Sequence, residues 1–155
     1  MIYPTKYYRE LFALSDGEKI ALDWHEEPIP TGETAKNDKR PLLVCLAGLS
    51  GDNTDCYLTK TMQKANRMGY QAVFMSFRGA AGLPSQSGKM FSLVSWEEIK
   101  EASDYLYEKY VKKQGRRMYL YGVSYGANSQ TMYLLNDNAN TPYSGMVSYA
   151  TFFHP

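Results

Sequence analysis

The sequence predicts an α/β fold, a predominantly parallel sheet with helices on both faces and an antiparallel hairpin at its front. Three observations carry that expectation. PLLVCLAG (41–48) and QAVFMSF (71–77) are unbroken apolar runs of strand length, the kind buried on both faces in parallel sheets. Strand-like and helix-like segments alternate from residue 41 onward, the order of βαβ units joined by right-handed crossovers. YRELFAL (8–14) and KIALDWH (19–25) flank Asp16-Gly17, a strong hairpin signal.

After the hairpin, EEPIPTGETAKNDKR (26–40) is rich in turn-forming and charged residues and is expected to be a surface loop. The strand at 41–48 leads into the Gly/Asp/Asn loop GLSGDNTD, then a helix over 57–68 that Gly69 can close. The strand at 71–77 runs into RGAAGLPSQSG. Ser95 followed by Glu98 has the spacing of a capping box, and Ile99, Ala102, Leu106 and Tyr110 then recur at helical spacing, giving a helix to about Lys112. RMYLYGV (117–123) is a strand, 125–136 a helix, and GMVSYAT (145–151) a last strand. The chain has no internal repeats and no low-complexity segment.

With 155 residues this is one domain's worth of chain. Lysines and arginines number 17 against 16 acids, and no basic cluster exceeds KKQGRR (112–117), so nucleic acid is not an expected partner. Cys45 lies inside LLVCLAG and reads as a buried thiol; with Cys56 it makes no disulfide framework. Two isolated histidines and two separated cysteines do not form a ligand set, so neither metal nor other cofactor is expected. No apolar run approaches the roughly 18–20 residues of a membrane span. The start MIYPTKYYRE lacks the apolar core of a signal peptide. The expected address is cytoplasmic, or peripheral on a membrane or an assembly.

Chemistry concentrates at YGVSYGANS (121–129). Gly122-Val123-Ser124-Tyr125-Gly126 is a G-x-S-x-G pattern placed where a strand ends and a helix begins, the context that holds a nucleophilic serine on a sharp turn. Gly122 and Gly126 are expected because side chains there would clash. Ser124 is expected in a strained backbone conformation with its hydroxyl exposed near the helix N-terminus. A tetrahedral oxyanion in this arrangement needs the amide after the nucleophile, Tyr125, and a second from the loop after the first central strand. LAGLSG (46–51) is that loop, and Leu49 is its expected donor.

Four segments together resemble the α/β-hydrolases of the abhydrolase-domain branch, which holds acylglycerol lipases, phospholipases and medium-chain esterases. They are YRELFALSDGEKIALDW (8–24), LAGLSGDNTDCYL (46–58), GYQAVFMSFRGAAG (69–82) and GVSYGAN (122–128). The branch usually has Pro where this chain has Ala47, and Gly-Gly-Asn where it has Gly126-Ala127-Asn128. The resemblance runs from about residue 7 to 153. It implies acyl-ester, lipid-like substrates and a triad in the order Ser, Asp, His, with both partners downstream of Ser124.

Downstream of Ser124 the chain has one acid, Asp137, and one histidine, His154. Asp137 is expected at the amino end of the last strand, away from the carboxyl edge where catalytic groups gather. His154 follows the last strand at the right edge but is expected to be loosely held so near the terminus, and His25 is expected on the surface. The expectation is therefore an incomplete domain: the nucleophile and oxyanion half of a C-terminally truncated α/β-hydrolase fold, with acid and base supplied from outside this chain. The strand at 145–151 would then expose an apolar edge, to be paired by a missing C-terminal segment or a second polypeptide. The alternative is a catalytically inactive hydrolase kept as a structural subunit of an assembly.

Overall fold

Ser15, Asp16 and Gly17 close the front hairpin in a computed structural model that describes residues 6–28, 38–92, 95–137 and 140–151. The Leu14 amide donates to the Glu18 carbonyl (2.8 Å) and Gly17 sits at φ +85°, a three-residue loop ending in a left-handed residue. The strands it joins are β1 (Tyr8–Ala13) and β2 (Lys19–Trp24), with Arg9 opposite Asp23.

The remaining elements follow the expected order: β3 (Leu42–Leu46), α1 (Cys56–Arg67), β4 (Gln71–Met75), α2 (Glu97–Leu106), β5 (Met118–Val123), α3 (Tyr125–Asp137) and β6 (Gly145–Tyr149). The sheet order is β1-β2-β4-β3-β5-β6, with β3, β4, β5 and β6 mutually parallel and β2 antiparallel to both of its neighbours, β1 and β4. Leu58, Met62 and Ala65 of α1 cover one face against Cys45, Ala72 and Phe74. Ile99, Ala102 and Leu106 of α2 and Tyr133 of α3 cover the other, against Val44, Leu46, Val73 and Leu120. Burial pushes the Cys45 thiol up to about 12, which leaves it a packing residue.

Gly69 closes α1 as expected: at φ +83° it lets the Tyr70 amide reach the Ala65 carbonyl and its own amide reach that of Asn66. The capping box does not form. Trp96, not Ser95, precedes α2 without a side-chain cap, because Glu98 is drawn away into an ion pair with the buried Arg78, and the Ser95 hydroxyl meets that of Ser92 (3.0 Å). α2 then widens into a π-helical turn (Tyr107–Val111), which buries both Tyr110 and Val111. The carboxylate of Glu10 gathers the hydroxyls of Tyr105 and Tyr110, the Lys109 ammonium and the Trp24 indole N–H against that turn. The loop expected over 26–40 lies largely outside the described residues, and Arg40 ties its ends through Glu26 and Asp38.

A second carboxylate holds the segment after β4. Glu18 accepts from the Ser87 amide (3.0 Å) and hydroxyl (2.8 Å), the Ser85 hydroxyl and the Gln86 amide. Those donors, Ser87 first, pull its pKa from 4.5 to about 2. A depressed carboxylate stabilises the fold above its unfolded pKa and loses that contribution as pH falls toward the folded value. Amide-exchange protection at Gln86 and Ser87 is therefore expected to hold above pH 4.5 and to fade toward pH 2. An unchanged profile in Glu18→Gln would show that the carboxylate is not the anchor.

Candidate functional site

The carboxyl edge of the parallel strands carries the strain. The four non-glycine residues with left-handed backbone among the described residues are Ser50, Ala81, Ser124 and Ala150, at φ between 51° and 58°. Each lies in the segment that follows one of β3, β4, β5 and β6, and Ser124 and Ala150 come immediately after their strands. Left-handed backbone disfavours any residue with a Cβ and persists only where the surroundings impose it.

At Ser124 (φ 51°) the surroundings can be named. Its amide donates to the Tyr149 carbonyl of β6 (2.8 Å), its carbonyl accepts from the Asn128 amide in the first turn of α3 (3.0 Å), and the Gly126 amide donates back to the Ala47 carbonyl (2.9 Å). Both glycines are sterically required. A Cβ on Gly122 would fall 2.6 Å from the Gly126 carbonyl oxygen, and one on Gly126 would fall 2.5 Å from the Ala47 carbonyl oxygen. The Tyr125 ring packs edge-on to Phe77 and Phe91, each at 5.2 Å between centroids, so the residue after Ser124 is fixed from the side chain as well. Burial pushes the Tyr125 phenol up to about 12.

The β3–α1 segment lies against this elbow, since a Cβ on Gly48 would touch the Ser124 Cβ at 3.6 Å. Gly48 donates its amide to the Tyr57 hydroxyl (3.0 Å), which leaves Leu49, an exposed residue, as the next amide in the loop. Neither the Leu49 nor the Tyr125 amide has a hydrogen-bond partner among the described residues. A cavity of about 240 Å³ opens beside them, lined by Gly48, Ser50, Phe77, Ala80, Ala81 and Phe91.

Asp137 does not join the site. It ends α3, about 18 Å of helix from Ser124, and lies 3.2 Å from the Lys100 ammonium. His154 lies outside the described residues. His25 is half-buried rather than a plain surface residue, with its ring 2.8 Å from the Asn66 amide nitrogen and burial holding its pKa low. β6 occupies the edge of the sheet and ends at Tyr149, two residues short of the expected strand, with Val147 and Tyr149 exposed.

Sequence reasoning missed the groups that brace the site. Asp23, fully buried in β2, accepts two bonds from Arg9 (2.7 and 2.8 Å) and one from the Asn53 amide (2.7 Å). Arg9 also donates to the Ala81 carbonyl (3.0 Å), so one ion pair holds the segments after both β3 and β4. The available signal was a carboxylate inside the otherwise apolar IALDW (20–24), since a buried acid needs a partner.

No protein-family model matches the chain. It is 28% identical over 153 residues to embryogenesis-associated protein EMB8 of Picea glauca, covering 96% of this chain and 32% of that protein. It is 26% identical over 149 residues to phospholipase ABHD3 of Mus musculus, covering 96% and 34%. Among solved structures, the α/β hydrolase GrgF of Penicillium sp. superposes with a TM-score of 0.72 at 15% identity, covering 94% of this chain and 46% of that one. The chain has the α/β-hydrolase fold. It spans about a third of the length of these curated relatives, 32% and 34%, and about half of the solved hydrolase, 46%. The described part of the α/β-hydrolase fold runs from the front hairpin through the Ser124 turn to β6. Among the described residues no helix is long and apolar enough to cross a membrane.

Proposed function

We propose that this chain supplies the nucleophile and oxyanion half of a serine hydrolase of carboxylic esters. The observation that carries the reading is Ser124 held at φ 51° between two glycines that tolerate no Cβ. A packing serine has no use for such a turn. Ser124 Oγ attacks the ester carbonyl carbon as its proton passes to an imidazole. The amides of Tyr125 and Leu49 take up the charge that develops on the carbonyl oxygen. The imidazolium then returns the proton to the departing alcohol, and water repeats the sequence on the acyl-enzyme.

The imidazole and its orienting carboxylate come from beyond the described residues. A later segment of the same product, or a second polypeptide, pairs along β6 and brings them to the carboxyl edge. The exposed Val147 and Tyr149 of that edge strand support this, because a bare apolar edge invites pairing. The phospholipase name of the mouse relative and the aromatic lining of the cavity by Phe77 and Phe91 favour acyl esters of lipid character.

The test is covalent labelling with a fluorophosphonate, on material from the native source and on the purified 155-residue chain. Labelling at Ser124 is expected in the native material, and Ser124→Ala is expected to abolish it with the unfolding midpoint nearly unchanged. Labelling that survives the substitution would remove Ser124 from its role. A native protein that never labels would instead be a non-catalytic subunit.

A further inference from the structure

The Tyr57 hydroxyl stands beside the elbow with a proton to give. It accepts the Gly48 amide at 3.0 Å, and no described residue accepts from it in turn. The point where a Cβ on Gly48 would sit is 3.6 Å from the Ser124 Cβ and 3.7 Å from the Tyr57 hydroxyl oxygen, so the two side chains flank one small space. Gly51 makes room for the phenol, since a Cβ there would lie 2.9 Å from its oxygen and 2.7 Å from the Ala47 Cβ. The ring rises from the first turn of α1, a rigid element whose Leu58 and Met62 are buried in the core.

We propose that Tyr57 is a catalytic residue, a third oxyanion donor whose hydroxyl gives a hydrogen bond to the ester carbonyl oxygen as Ser124 attacks. The proposal rests on the hydrolase reading above. The Gly48 amide, engaged by the phenol oxygen, is unavailable to the oxyanion. By donating to that oxygen it polarises the O–H and strengthens it as a donor. Burial raises the phenol's pKa, which keeps the proton in place through the neutral range. A phenol O–H aimed at developing charge does the work that backbone amides do elsewhere in the site.

The test uses the protein expressed in its own host, with hydrolysis of a p-nitrophenyl acyl ester and fluorophosphonate labelling of Ser124 read side by side. Tyr57→Phe is expected to lower kcat by about 100-fold with KM unchanged, the loss found when one oxyanion donor is removed. Incorporation of 3-fluorotyrosine at position 57 separates donation from bracing. Fluorine makes the phenol a stronger donor and a weaker acceptor, so a donor role predicts kcat at or above the natural value. A role limited to holding the Gly48 amide predicts a fall, and that result would overturn the proposal. Unchanged kcat in Tyr57→Phe, with Ser124 still labelled, would overturn it while leaving the hydrolase reading intact. Absence of Ser124 labelling in the unsubstituted protein would overturn both.

Discussion

Gly126→Ala is expected to lower stability by about 3 kcal/mol or more, the upper end for overpacking, and to abolish labelling at Ser124. The added methyl would lie 2.5 Å from the Ala47 carbonyl oxygen, 2.7 Å from the Leu46 Cβ and 2.8 Å from the Leu46 carbonyl oxygen. None of these atoms can rotate away. They belong to the fully buried last residue of β3 and the equally buried residue after it, at the centre of the sheet, so relief requires α3 to move off the strand. That movement stretches the 2.9 Å bond from the Gly126 amide to Ala47 and frees the turn that holds Ser124. Stability and site are lost through the same contact. Urea unfolding with labelling in parallel tests this, and a midpoint equal to that of the unsubstituted chain would mean that α3 can shift without cost.

The same elbow explains what was legible in the sequence. G-x-S-x-G places its constraint within five consecutive residues, so spacing alone identifies Gly122, Ser124 and Gly126 and the need for a tight turn. The alternation of apolar runs with helical spacing fixes the parallel strands in the same local way. Contacts between distant segments were not legible. Asp16-Gly17 marked the hairpin, but a two-residue turn would set Arg9 opposite Trp24. The loop includes Ser15 and sets Arg9 opposite Asp23, and that one-residue difference creates the ion pair bracing the site. Glu98 had the right spacing for a cap, yet Arg78, twenty residues earlier, offered a charged partner and a buried position. Tyr57 carried no motif at all; its role comes from the fold of the β3–α1 segment around its hydroxyl.

Arg9→Ala is expected to destabilise the fold by about 3–5 kcal/mol, the cost of leaving a buried charge without its partner. Asp23→Leu is expected to cost about 1–2 kcal/mol, because what remains is an unpaired amide rather than a stranded charge. The asymmetry follows from exposure. The Arg9 side chain is 39% exposed and can turn to water when Asp23 is removed, whereas the Asp23 side chain is 0% exposed and cannot follow. The order should reverse at the site. Arg9→Ala leaves the bond from Asn53 to Asp23 (2.7 Å), so the β3–α1 segment that carries Leu49 keeps its tether. Asp23→Leu breaks that bond while Arg9 turns outward, letting go of Asn53 and the Ala81 carbonyl together. A displacement of about 1 Å at catalytic groups can cost about 100-fold in rate. Asp23→Leu should therefore be the more stable variant and the slower to label at Ser124. Equal urea midpoints would show that Asp23 reaches water when Arg9 is gone. Equal labelling rates would show that Asn53 holds its segment without the carboxylate, and the bracing role would then belong to Tyr57 and Gly48 alone.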